Sequence, residues 1–339
     1  MEVQILSRKL LKPSSPTPLH LWRLRLSPLI DLHLKHNRNR AENHERHEHL
    51  EKSLSEILNH FYPTGRHIKD DESVDCNDQG VEYLDAKVDI QLNQLLSRRR
   101  DSIEQMNSLI QLPYGGLVIS ICICHAIADG FTMVKFITEL LLPCFNLASL
   151  FSTKVLPMLK PPPPPRVFEL DKVVTRQFVF DGAEISTLKA KSNPRSCDVG
   201  VKPKPSRVEV VTTVIWKALI RVSEAKYGRL RTSLVVHSMN LRAKIVFIVP
   251  HNCCGDLYRL VAVRFTGDMS KMELPDLVVL LSDAISVNAL CCEDVFPTVV
   301  KSFNNVNEES KKKYVDVHMF TSWCRFPTYE ADFGWEKPT

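Results

Sequence analysis

Leu117-Val118-Ile119-Ser120-Ile121-Cys122-Ile123-Cys124 runs directly into His125-Ala126-Ile127-Ala128-Asp129-Gly130, and this decisive stretch points to the fold class. Its leading part is nearly all apolar and rich in Ile and Val, as in a strand buried on both faces. Phe131 to Leu142 then reads as a helix stopped before Pro143. A buried strand feeding a helix is the repeating unit of α/β proteins, which place reactive groups on loops just outside strand ends. His125 and Asp129, four apart, are therefore expected on one helical face or on a tight loop at the end of the strand. The spacing alone has few fixed positions, and a His and an Asp that merely hydrogen-bond within a turn satisfy it equally well.

Outward from this segment the same alternation continues. Val3 to Leu11 is a strand that runs into the proline-rich turn Lys12 to Pro18, and His36 to His49 is a polar, solvated, poorly ordered stretch. Leu50, Leu54, Ile57, Leu58 and Phe61 follow at helical spacing, a helix that Pro63 and Gly65 terminate and that should pack on a sheet. Pro161 to Pro165 is a run of five prolines, too stiff and too poor in donors for a helix or sheet, and is expected to be the crossover between domains. Beyond it Val173 to Phe180 reads as a strand and Glu184 to Ala190 as a helix. Val208 to Glu224, around Trp216, is a longer helix, and Leu234 to Asn240 and Leu260 to Phe265 are strands. The fold class expected is α/β with mixed sheets flanked by helices. The domains are 1–155, a proline-rich crossover at 156–171, and 172–339.

Composition narrows the function. With 44 Lys and Arg against 39 Asp and Glu the net charge is only +5, so nucleic acid is not indicated. Arg98-Arg99-Arg100 and Lys311-Lys312-Lys313 lack interleaved aromatics and read as exposed loops that help attract an anionic ligand. No apolar stretch approaches the roughly 20 residues that span a bilayer, and the start lacks a basic segment followed by an apolar one, so a cytoplasmic protein without membrane contact is expected. Ten cysteines without a C-x-x-C pair read as reduced, mostly buried thiols. His44, His47 and His49 cannot all share one helical face, and Cys124 and His125 would point to opposite sides of a strand, so no metal site is expected.

The strand, the H-x-x-x-D-G segment and the late Asp332-Phe333-Gly334-Trp335 together resemble the BAHD acyl-CoA-dependent acyltransferases, in particular the branch acting on alkaloids and alcohols. Colinear segments extend the resemblance across the chain: Ser14 to Pro18, Phe61-Tyr62-Pro63, Val74 to Asp78, Asn240-Leu241-Arg242, and Thr321 to Pro327. The resemblance implies two chloramphenicol-acetyltransferase-like domains. It also implies transfer of an acyl group, acetyl first, from acyl-CoA to a hydroxyl or amine of a plant secondary metabolite, by a monomer that binds no permanent cofactor. His125 is implied as the general base, and an imidazole near its ordinary pKa of about 6.5 suits that role at cytosolic pH. Asp129 is implied to pair with Arg242 and fix the loop. Thr321 and Trp323 are implied to lie near the transfer centre, where a hydroxyl and an indole N–H donate to developing negative charge, and either can equally be a satisfied core residue. Ser206 and Arg207 are implied to approach the coenzyme, Arg207 at a phosphate, with a solvated turn after Pro205 as the other reading. Asp332, Phe333, Gly334 and Trp335 are implied to act structurally.

Measured against the resemblance the chain is shorter on its N-terminal side, has Glu336 where the motif continues with glycine, and ends at Thr339, so an incomplete second domain is expected. Two functions stay open: an active acyltransferase, or an inactive, truncated member that binds a ligand or is a non-functional fragment.

Overall fold

The computed structural model describes residues 3–21, 23–25, 43–65, 67–70, 73–88, 121, 123, 125, 127–138, 142–145, 176–192, 204–245, 249–250, 252–266, 273–286 and 292–332. Most of Leu117 to Cys124, the five prolines, Arg98 to Arg100 and Phe333 to Glu336 lie outside the described residues. By their contacts the residues form two compact units. One is Met1–Gln177 with Pro250–Asp256 and Phe326–Thr339; the other is Phe178–Val249 with Leu257–Arg325.

In the first unit, strand β1 (Val3–Leu11) pairs antiparallel with β5 (Val81–Val88), Val3 opposite Val88 and Leu11 opposite Val81. A second small antiparallel sheet joins β2 (Arg23–Arg25), β4 (Ser73–Asp75) and β3 (His67–Asp70), with β4 in the middle. Helix α1 spans Asn43–His60, so the polar stretch expected to be poorly ordered is helical from Asn43 onward. The apolar spacing from Leu50 marks only the part of α1 that buries a face; Glu48 and His49 are exposed in the turn before it. The proline-rich turn after β1 is tied to α1 by Asn59, whose Oδ1 accepts from Ser15 N at 3.0 Å and whose Nδ2 donates to Ser14 Oγ at 2.6 Å. Asp78 holds the same turn to the segment after β4, accepting from Thr17 N at 2.9 Å and Thr17 Oγ1 at 2.6 Å. Gly80 closes that segment with φ +93°, and a Cβ there would stand 2.3 Å from the Leu11 carbonyl oxygen, so only glycine fits.

Helix α2 covers Gly130–Thr138, starting one residue before the expected Phe131, and Leu142, the expected last residue, carries no helix. The core of this unit gathers Ile57 of α1 and Phe61, the residue just past its end, with Phe136 of α2, Phe145 and Cys254. Ile121 and Ile123, the described residues of Leu117 to Cys124, pack against it. Phe61 is fully buried and meets Phe136 edge to face at 5.2 Å between ring centres.

The second unit is built on a mixed sheet. Strand β6 (Thr232–Asn240) lies between antiparallel β7 (Tyr258–Phe265) and parallel β8 (Val315–Phe320), with Val235 opposite Val263 on one side and His318 on the other. Helices α3 (Gly182–Lys191) and α4 (Arg207–Tyr227) match the expected helical segments. Helices α5 (Leu274–Ile285) and α6 (Cys292–Ser310) were not foreseen. Trp216 and Ile220 of α4 and Leu277 and Leu281 of α5 bury against Val235, Val263 and Phe265 of the sheet, and Trp216 Nε1 donates to Ser233 Oγ at 2.8 Å. Alternation along β7 sends its other side chains to α6, where Tyr258 meets Phe303 at 5.6 Å and Arg264 pairs with Glu309 at 2.6 Å. The sheet is thus covered on both faces. The expected strand Val173 to Phe180 is not formed over 176–180: these residues carry no regular structure, and Phe178 and Val179 are exposed. Alternation gives a strand only where a neighbour takes its backbone hydrogen bonds, and no strand pairs with this segment among the described residues.

Candidate active site

Asp129 precedes the first residue of α2 and acts as its N-cap. Its Oδ1 accepts from Thr132 N at 2.9 Å and its carbonyl accepts from Met133 N at 2.9 Å, which satisfies donors that a helix start leaves orphaned. The pair therefore is not two residues on one helical face: His125 lies in the turn before the helix and Asp129 at its cap.

Thr132, fully buried, links this cap to a distant segment. Its Oγ1 lies 2.9 Å from Asp129 Oδ1 and 3.0 Å from the Gly255 carbonyl, and accepts from Gly255 N at 3.0 Å. The segment around Gly255 is held in place by backbone bonds: Cys254 N donates to Cys144 O at 2.7 Å, and Cys144 N to Asn252 O at 3.0 Å. Asn252 Nδ2 adds a bond to the Leu142 carbonyl at 2.7 Å. Gly255 turns the chain with φ +127°, a conformation that favours glycine.

The next residue, Asp256, is thereby delivered to the imidazole. His125 Nδ1 stands 3.2 Å from Asp256 Oδ2, with the imidazole side chain 21% exposed and the carboxylate 0% exposed. With Asp256 ionised, its carboxylate accepts only, and Nδ1 is then the protonated nitrogen of this pair. Burial alone would lower the His125 pKa. The hydrogen bond and charge of Asp256, the charge of Asp129 and a bond to the residue's own backbone outweigh it, so the imidazole is held above its ordinary value. A partly exposed imidazole with one nitrogen tied to a buried acid is equipped to take up and release a proton.

Asp256 and Thr132 were not foreseen. Asp256 is 131 residues from His125, and nothing periodic links the two; the faint signal was an acid directly after a glycine, just ahead of a strand.

The other expected residues fall as follows. Arg242, buried just past β6 in the second unit, donates from N and Nη1 to Asn240 Oδ1 at 3.0 and 3.3 Å. Thr321 is exposed directly after β8, and Trp323 is 39% exposed two residues on. Ser206 is the N-cap of α4. Its hydroxyl accepts from Glu209 N at 3.3 Å, and Glu209 Oε2 accepts from Ser206 N at 2.6 Å, a capping box in place of a solvated turn. Arg207 is exposed in the first turn of α4. Asp332 is exposed, while Phe333, Gly334 and Trp335 lie outside the described residues. Lys311 and Lys312 pair with Glu308 and Glu309 at 2.6 Å each. Among the described residues no group of three or more His, Cys, Asp or Glu side chains is placed to hold a metal ion; Cys76, Cys253 and Cys254 are buried, and Cys324 is exposed.

Comparison with known proteins gives a consistent result. The Transferase family matches residues 1–142 and 147–339. The chain is 33% identical to acetyl-CoA-benzylalcohol acetyltransferase of Clarkia breweri over 396 aligned positions, covering 100% of this chain and 89% of that protein. It is 29% identical to vinorine synthase of Rauvolfia serpentina, covering 99% of this chain and 87% of that protein. The crystal structure of vinorine synthase superposes with a TM-score of 0.75 at 27% identity, over 99% of this chain and 87% of that one.

Proposed function

The chain belongs to the Transferase family of BAHD acyltransferases, a two-domain, chloramphenicol-acetyltransferase-like fold, and on that footing we propose that it transfers an acetyl group from acetyl-CoA to a hydroxyl of a plant secondary metabolite, with His125 as general base. The observation that carries the reading is the His125 imidazole itself, one-fifth exposed, in the turn that enters α2.

In the reaction the acceptor oxygen attacks the thioester carbonyl as its proton passes to His125. The O–C bond forms, the C–S bond breaks, and the imidazolium returns the proton to the departing thiolate, so that ester and free CoA–SH leave together. Positioned base catalysis of this kind is worth roughly 10² to 10⁴ in rate. Asp129 caps α2, and we assign it the further role of pairing with Arg242 to fix the loop that carries the base. Thr321 and Trp323 donate to the oxyanion, and Ser206 and Arg207 approach the coenzyme, with Arg207 at a phosphate. Asp332 to Trp335 act structurally. We take the domains as 1–155 and 172–339, with the proline-rich 156–171 between them.

No helix among the described residues is long and apolar enough to cross a membrane. We place the protein in the cytoplasm as a monomer that meets only acyl-CoA and its acceptor. The test is turnover of acetyl-CoA against a panel of alcohols and alkaloids, read as free thiol and acylated product. Acyl transfer that His125→Ala removes supports the reading; a folded protein with no turnover on any acceptor supports the inactive family member instead.

A further inference from the structure

The acid beside the imidazole does not belong to the H-x-x-x-D segment. Asp129, the motif's own carboxylate, faces its helix start and Thr132. The carboxylate that meets the His125 ring is Asp256, brought there by the Asn252–Asp256 segment and locked through Thr132 and Gly255 to the same helix cap. Asp256 is completely buried and the imidazole is not, so the acid is screened from water while the ring remains reachable.

We propose that Asp256 is a positioning residue for the acyl transfer: its carboxylate accepts the His125 Nδ1–H, fixes the tautomer in which Nε2 is the unprotonated nitrogen, and stabilises the imidazolium once Nε2 holds the acceptor's proton. The inference rests on His125 being the base. Its chemistry is that of an orienting carboxylate behind a catalytic imidazole, where the acid holds ring and tautomer without itself taking the proton. Burial makes the effect large, because a charge pair in a poorly polarisable site interacts more strongly than the same pair in water. The upward displacement of the His125 pKa has Asp256 as its principal favourable cause and Asp129 as a smaller one, in agreement with a carboxylate that favours the charged ring. Thr132 acquires a role by the same logic: by joining Asp129 to Gly255 it couples the cap of α2 to the placement of Asp256.

Asp256→Asn is the decisive variant, since it keeps the shape and an accepting oxygen while removing the charge; Asp256→Ala removes both. With histidine labelled in nitrogen-15, the His125 resonances are assigned by their loss in His125→Ala. The wild-type neutral ring is expected to be protonated at Nδ1, with a titration midpoint above the ordinary imidazole value. In Asp256→Asn the midpoint falls by roughly 1 pH unit. The acid limb of the pH profile of kcat follows it, and kcat drops about tenfold to a hundredfold with KM for acetyl-CoA changed by less than about threefold. Asp256→Ala loses more and also loses the fixed tautomer. The proposal is overturned if Asp256→Asn leaves the midpoint and tautomer of His125 unchanged, even when activity falls, because the residue is then only structural. A fully active His125→Ala would instead remove the base reading, and the imidazole titration would still decide the contact on its own.

Discussion

At the scale of single residues, the histidine and the aspartate of the decisive stretch divide into different tasks. Asp129 serves the backbone, satisfying Thr132 N and contacting the Thr132 hydroxyl, while His125 turns to a carboxylate from elsewhere in the chain. Asp129→Ala is therefore expected to lower the free energy of urea unfolding by about 1 to 2 kcal/mol, the usual cost of losing an N-cap, read as a lower midpoint at unchanged slope. A much larger loss would point to the pairing with Arg242 as well. The two motif residues were legible because a short, contiguous pattern carries them. Asp256 and Thr132 were not, because their roles arise only when Asn252–Asp256 is laid beside Leu142–Phe145, a pairing between sequence-distant segments that local spacing does not encode.

Elements were legible where burial leaves an apolar pattern. The spacing around Trp216 corresponds to α4, which buries one face, and the apolar start of Leu234 to Asn240 to β6, which is buried at five successive positions from Ser233 to His237 because both faces of the sheet are covered. Leu274–Ile285 is apolar almost throughout, so period alone does not separate helix from strand; Pro275 at its start, with Asp276 behind the Glu273 cap, favours the helix that forms. The β2, β3 and β4 strands are too short to show a pattern, and 176–180 shows one with no strand paired to it among the described residues. Ser206 illustrates how an element end acquires a second reading. As the cap of α4 it forms a reciprocal pair with Glu209, whose other oxygen accepts from Ser282 Oγ. Burial would raise the Glu209 pKa, but these hydrogen bonds and the charge of Arg325 hold it below the ordinary carboxylate value. Ser206→Ala should cost roughly 1 kcal/mol by urea unfolding. An accompanying rise in KM for acetyl-CoA would mark the proposed coenzyme contact, and an unchanged KM would leave Ser206 as a cap alone.

At the scale of the whole molecule, buried imidazoles set the response to acid. Burial lowers the pKa of both His237 and His318 below the ordinary value, against smaller opposing charges from Glu209 and Asp316. His237 stacks on Phe320 and lies 3.2 Å from Thr212 Oγ1, and His318 Nε2 has no hydrogen-bond partner among the described residues. In the unfolded chain both take a proton near pH 6.5, so below that value the unfolded state binds more protons and stability declines as pH falls. His125 has the opposite sign: its raised folded value adds stability that is complete below about pH 6.5 and is lost as pH rises through the folded value. Urea midpoints should therefore fall between pH 7.5 and 5.5, and fall further in His125→Ala, which lacks the compensating contribution; a midpoint that rises on acidification contradicts the assignment. The two-domain α/β architecture was legible from the alternation of elements around the proline run, but the inclusion of Pro250–Asp256 in the first unit was not, and that short segment completes the candidate site. Base catalysis by His125 is tested by the rate of CoA–SH release from acetyl-CoA in the presence of an acceptor, compared between wild type and His125→Ala. Acceptor-dependent release is expected in the wild type, with a loss of about 10² to 10⁴ in the variant; release that survives in His125→Ala at the wild-type rate would rule out His125 as the base.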